Sequence, residues 1–191
     1  MKAKERRQSI LELLVDRGSV QVDELLARYQ VSRMTLHRDL EELVDEGWAA
    51  RIRGGITVVS DTQFESDFRF RQHVNVAEKT RIAKAAARMV SDGQAISLGF
   101  GSTVAQMLPS ISKRSELTVA TASMPILQGL ANLRNIELLV VGGQYIQRFD
   151  GFFGRRAELG FADFMVDICF LSTSALKFPD VYHQDERVVR V

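Results

Sequence analysis

The chain runs to 191 residues, 46% hydrophobic and 26% charged, with a formal net charge of +1; these ordinary globular values exclude wholesale disorder and allow one large domain or two small ones. It holds no uninterrupted apolar run of the ~18 residues that a membrane span takes, and its start, Met-Lys-Ala-Lys-Glu-Arg-Arg, lacks the apolar segment of a secretory signal. A single cysteine, Cys169, excludes an internal disulfide, and three scattered histidines give no metal-ligand spacing, so a cytoplasmic protein without metal or cofactor is expected.

Ile10, Leu11, Leu13 and Leu14 make an apolar stripe on a first helix that Gly18 ends. After an extended link at Val20, the stretch 22–29 reads as a second helix, with Asp23 and Glu24 in the first turn where the helix dipole favours acids. Gln30-Val31 turns the chain into Ser32, the expected N-cap of a third helix that runs to Glu46 and stops at Gly47. Leu36, Leu40, Leu43 and Val44 form the buried stripe of that helix, and at about 100° per residue Arg38 points nearly opposite it. Arg33, Met34, Thr35, His37 and Arg38 gather on the first turns, the part of a recognition helix that meets base edges. Arginine can bind guanine bidentately, and threonine can bond a base edge or touch a thymine methyl. Glu41, Glu42 and Asp45 fall toward the other end, away from phosphates. Next come two extended runs, 48–53 and 56–59, around Gly54-Gly55. They read as a hairpin, a wing whose Arg51 and Arg53 share one face and can reach phosphate or a minor groove.

Arg6, Ile10 and Leu14 at four-residue spacing, followed by Ser32-Arg33-Met34-Thr35-Leu36-His37-Arg38-Asp39-Leu40, closely resemble the helix-turn-helix signature of the DeoR family of bacterial transcription regulators. Arg53-Gly54-Gly55 resembles that family's wing. The resemblance implies binding of double-stranded operator DNA through Arg6, Ser32, Arg33, Met34, Thr35, His37, Arg38, Arg51 and Arg53. His37 stands where members more often carry Arg, and Gln21 where a Ser-type cap often opens the second helix.

Residues 59–78 are polar without a clean period and read as a linker between a DNA-binding domain, 1–58, and a second domain, 79–191. Phe64, Phe68 and Phe70 are too apolar for a free tether and are expected to dock on a domain, with a dimer contact as the alternative; His73 is expected to be exposed. From Lys79 the pattern alternates. Helices are expected over 79–90, 103–108 (stopped by Pro109), 125–132 and 155–161; strands are expected over 95–98, 117–120, 136–141 and 168–171. Apolar runs with helical spacers mean βαβ units and a parallel sheet, hence an α/β fold class.

Loops at the carboxyl ends of such strands face one crevice, where ligands bind. Gly99 and Gly101 let backbone approach a ligand, and a helix starting at Ser102-Thr103 offers free N–H groups and hydroxyls to an anion. Thr121-Ala122-Ser123 and Gly142-Gly143 follow the next two strands. Gly99-Phe100-Gly101 is not a dinucleotide fingerprint, so NAD is not expected. Asp150, Glu158, Asp163 and Asp167 are acids near the expected crevice, read as caps and solvated charges.

Glu78-Lys79, Gly101-Ser102-Thr103, Thr121-Ala122-Ser123, Gly142-Gly143, Gly154 and Asp167 resemble successive landmarks of the DeoR sensor domain, with Ala122 where Asn is common. The resemblance implies a Rossmann-like parallel-sheet domain related to sugar-phosphate isomerases. It further implies a phosphorylated-sugar effector held by Gly99, Gly101, Ser102, Thr103, Thr121, Ser123, Gly142 and Gly143. Family members usually continue beyond the position of Val191, so an incomplete sensor domain is expected. The expected function is transcriptional regulation, as a repressor of a carbohydrate-metabolism operon that is at least a dimer and is not an enzyme. The alternative is a sugar-phosphate isomerase-like enzyme with an N-terminal interaction module; a regulator blind to effector is a third reading.

Overall fold

Ile10, Leu11, Leu13 and Leu14 are all buried in the computed structural model, which describes residues 1–59 and 67–191. They lie on α1 (Ala3–Arg17), in a unit that spans Met1–Val74; a second unit spans Asn75–Val191. The first unit continues through β1 (Ser19–Gln21), α2 (Val22–Tyr29), α3 (Arg33–Asp45), β2 (Ala49–Ile52), β3 (Gly55–Val58) and α4 (Phe68–Arg71). Leu25 of α2, Leu36, Leu40 and Leu43 of α3 and Ile56 of β3 close one core with the α1 stripe. Each such side chain contributes about 2 kcal/mol by leaving water.

Ser32 starts α3 as its spacing foretells. The side-chain oxygen accepts the Thr35 amide at 3.1 Å, which satisfies one of the helix's orphan donors. Ser32→Ala should therefore lower the unit's stability in urea denaturation by ~1 kcal/mol. An unchanged midpoint would mean that water caps the helix equally well.

The three strands pair antiparallel in the order β1-β3-β2. The wing turns at Arg53-Gly54, one residue earlier than the Gly-Gly pair suggests, and Gly55 belongs to β3 opposite Ile52. Gly55 is needed there because β1 passes closely: a Cβ would lie 2.6 Å from the Val20 carbonyl oxygen.

The stretch read as a linker is partly folded. Phe68 and Phe70 are buried, and Phe70 joins the first unit's core with its ring stacked 6.2 Å from Trp48. Phe64 lies outside the described residues. His73, expected exposed, is half-buried, and its amide donates to the Phe70 carbonyl at 3.0 Å. The next helix, α5 (Val76–Ala87), begins three residues before Lys79 and ends short of Val90.

The second unit continues with β4 (Ala95–Leu98), α6 (Ser102–Ala105), α7 (Leu108–Ile111), β5 (Leu117–Thr121), α8 (Met124–Leu130), β6 (Ile136–Val140), β7 (Gln144–Ile146), β8 (Gly151–Phe153), α9 (Arg155–Ala162), β9 (Ile168–Phe170), β10 (Ala175–Lys177), β11 (Asp180–Tyr182) and α10 (Glu186–Arg190). Four strands form an all-parallel sheet in the order β6-β5-β4-β9. Ile96, Leu98, Leu117, Val119 and Ile136 from this sheet share a core with Ala83 and Ala87 of α5, Ile111 of α7, and Ile126 and Leu130 of α8.

The single helix expected over 103–108 is instead two turns, α6 and α7. Pro109 sits in the first turn of α7, where its missing N–H is an orphan in any case, so it opens a helix rather than stopping one. Two antiparallel hairpins, β7–β8 and β10–β11, were not expected. Among the described residues no helix is long and apolar enough to cross a membrane.

Candidate functional site

The residues expected to meet DNA divide by their partners. Arg38 is exposed on α3 and has no hydrogen-bond or ion-pair partner among the described residues. Met34 is 69% exposed beside it. Arg33 is exposed and paired with Asp23 at 3.1 Å, an open pair that is worth little and readily exchanged. The Thr35 hydroxyl lies 2.8 Å from that of Ser32, so these two side chains serve the helix cap. His37 is half-buried, its Nδ1 3.4 Å from Arg51. Arg53 is exposed in the wing turn rather than on β2, so the strand alternation that would have given it a common face with Arg51 does not extend to it.

Arg6 departs from its expected place. It is 6% exposed, and its guanidinium donates to both carboxylate oxygens of Asp39, at 2.5 and 3.2 Å. Hydrogen bonding and the charge of Asp39 outweigh burial and hold the Arg6 guanidinium above its ordinary range. Arg6 thus clamps α1 to α3 from inside and leaves the DNA-facing set. Nothing local signals this pairing, because the partners stand 33 residues apart.

In the second unit the chain steps from β4 to β5 to β6 on one side and returns to β9 on the other. The order therefore reverses between β4 and β9, the position where open parallel sheets bind ligands at their carboxyl ends. Gly99 and Gly101 follow β4 and abut the residues after β9. The Gly99 amide donates to the Phe170 carbonyl at 3.0 Å, and a Cβ on Gly101 would lie 2.7 Å from Cβ of Ser172. Gly101 also sits at φ 113 and ψ 148, backbone that is nearly confined to glycine. Ser102 is 1% exposed, and its Oγ lacks a hydrogen-bond partner among the described residues. A buried hydroxyl left unpaired costs about 1–3 kcal/mol. Thr103 is half-buried beside it.

Thr121 is better occupied than its expected role requires. Its hydroxyl donates to the Leu98 carbonyl at 2.7 Å and accepts the Ser123 amide at 3.0 Å, tying the β4 and β5 loops together. It is a fastening, not a spare donor. Ser123 is buried and bridges Gly151 of the β7–β8 hairpin, whose Phe152 amide donates to the Ala122 carbonyl at 2.8 Å. Gly142 and Gly143 lead into this hairpin, and Gly143 packs directly on the Phe153 backbone. Phe100 stacks on Phe153 at 4.3 Å between ring centres, and Phe149 follows at 5.5 Å, so the hairpin is pinned over the β4 loop by aromatic contacts.

A cavity of about 430 Å³ opens beside these loops, lined there by Gly99, Phe100, Ser172, Thr173, Tyr182 and His183. Gly101, Ser102, Thr103, Thr121, Ser123, Gly142 and Gly143 do not line it; of the residues expected to hold an effector, Gly99 alone does. Ser172 and the hairpin were missed in the sequence; Asp150-Gly151 and the run Phe152-Phe153 were the available signals. Asp167 lies at the opposite end of the sheet from the crevice. It precedes β9, and its carboxylate accepts the Ala95 amide at 2.9 Å where β4 begins.

The class that these two units define is a helix-turn-helix regulator carrying a separate α/β sensor domain. Residues 6–62 match the DeoR-like helix-turn-helix domain, and residues 74–191 match the DeoR C terminal sensor domain. The chain belongs to the DeoR family of transcriptional regulators. It is 31% identical over 174 residues to a putative aga operon transcriptional repressor of Escherichia coli O157:H7, an alignment that takes in 90% of this chain and 65% of the relative. An uncharacterized HTH-type transcriptional regulator of Bacillus subtilis, YulB, is 36% identical over 88% of this chain and 65% of its own length. The lactose phosphotransferase system repressor of Lactococcus lactis is 28% identical, with 100% of this chain matched to 76% of that protein. The chain thus spans about two thirds of the length of these curated relatives, 65% for the first two.

Proposed function

We propose that the chain is a DNA-binding repressor of a carbohydrate-metabolism operon, released from its operator by a phosphorylated sugar. The observation that carries the DNA half is the start of α3, where a capped helix buries its leucines and leaves Arg33, Met34 and Arg38 open to a groove. Thr35 and His37 flank them, and Arg51 and Arg53 approach from the wing. The effector half is supported by the unpaired Ser102 hydroxyl and by Gly101 at the strand-order reversal, where a ligand's acceptors could meet both side-chain and backbone donors. The names of the aga operon and lactose repressors point the same way. They are names of regulators, and the isomerase-like reading is not favoured.

Effector binding would shift the population toward a state whose half-site geometry no longer fits the operator. A two-fold operator calls for at least a dimer, acting in the cytoplasm where its DNA lies. The test is fluorescence anisotropy of the full chain on duplex from its own gene's upstream region, at two salt concentrations, with and without a panel of phosphosugars. Salt-dependent binding that one phosphosugar weakens is the expected result; no sequence preference at all would sink the DNA half. Arg38→Ala should cost about 1–3 kcal/mol of specific binding while leaving non-specific binding nearly unchanged. An equal loss on all sequences would reassign Arg38 to phosphate.

A further inference from the structure

His37 and Glu41 lie one helical turn apart on α3, and Arg51 reaches both from β2. One terminal nitrogen of Arg51 stands 3.4 Å from His37 Nδ1, and the other 3.4 Å from a Glu41 carboxylate oxygen. Each contact is long and weak alone, but the planar guanidinium makes both at once, so its orientation is held at two points. A guanidinium can only donate. Nδ1 of His37 must then accept, and the ring proton of the neutral imidazole resides on Nε2.

We propose that Arg51 is a positioning residue for base recognition and that His37 is the specificity-determining residue it prepares. The inference rests on the DNA-binding reading above. With its proton on Nε2, His37 offers the major groove a donor and no acceptor. Guanine (N7 and O6), adenine (N7) and thymine (O4) each present an acceptor in that groove, whereas cytosine presents only an amino donor. His37 therefore rejects cytosine on one strand at one position of each half-site. Glu41 holds the other end of the guanidinium through an exposed pair that is weak on its own, and the phosphate role falls to Arg53, exposed in the turn.

A phosphate-binding Arg51 behaves differently, and the experiment separates the two. The full chain and its Arg51→Ala and His37→Ala variants are each used to select from a pool of random-sequence duplexes, and the salt dependence of binding to the best duplex is measured. Arg51 is exposed and His37 half-buried, so both variants should fold, which circular dichroism melts would check. The proposal expects the wild type to exclude cytosine at one position. His37→Ala should abolish that exclusion, and Arg51→Ala should relax it at the same position by about tenfold, admitting cytosine, at an unchanged salt slope. Uniform weakening by Arg51→Ala with the salt slope reduced by about one would make Arg51 a phosphate contact and overturn the proposal. So would an Arg51→Ala variant that keeps the full exclusion of cytosine. A wild type that enriches no sequence would instead remove the DNA reading itself.

Discussion

Asp39→Ala is expected to destabilise the amino-terminal unit by about 3 kcal/mol, seen as a fall of about 15 °C in its melting temperature. The Asp39 side chain is 3% exposed and that of Arg6 8%, and the pair meets through two hydrogen bonds, with Arg7 a further 3.7 Å contact on the same carboxylate. Removing the carboxylate strands a guanidinium that cannot shed its charge and has little water to turn to. A unit of this size has on the order of 4–11 kcal/mol of stability, so the loss is a large fraction of the whole. Arg6→Ala should cost less, because Arg7 remains beside Asp39. Replacing both partners together, Arg6→Met with Asp39→Leu, should recover most of the loss, since a buried ion pair exchanged for apolar groups of similar volume is often neutral. Urea denaturation of the three variants checks the set. A loss below ~1 kcal/mol for Asp39→Ala would mean that water reaches Arg6 once the carboxylate is gone.

Arg6 also marks the boundary of what the sequence could say. The features legible in it are those whose cause lies within a turn or two. Ser32 followed by Thr35, the leucine spacing of α3, the apolar run at Ala95–Leu98 and the glycines after it each carry their own local reason. The residues placed otherwise than their local sequence suggests depend on partners far along the chain. Arg6 is buried by a residue on another helix, and Thr121 is satisfied by a carbonyl on the neighbouring strand. The β7–β8 hairpin escaped notice for a different reason: its strands are three residues each, too short for a period of two to register. Pro109 shows a third cause, since one residue suits both a helix that is ending and one that is starting. Ser172 enters the crevice only because β9 pairs with β4, and pairing order is not written in periodicity.

The same pairing makes Gly101→Ala the substitution with the largest expected effect on regulation. Two penalties act together. The backbone at φ 113 and ψ 148 costs a residue with a Cβ about 1–3 kcal/mol. The new methyl would also come within 2.7 Å of Ser172 Cβ and 2.8 Å of its hydroxyl, so the loops after β4 and β9 must separate. Relief of both strains should move Ser102 and the loop backbone away from the geometry that the proposed phosphosugar effector would need. The phosphosugar concentration for half-release should rise about thirtyfold, equivalent to ~2 kcal/mol, while operator affinity without effector stays within about twofold. The variant would behave as a repressor that no longer lets go. Gly101→Ala combined with Ser172→Gly removes the steric clash and keeps the backbone strain, so partial recovery in the double variant would apportion the two. An unchanged half-release concentration in Gly101→Ala would take Gly101 out of the effector crevice, and a lost operator affinity would mean that the loop supports the whole fold rather than the response.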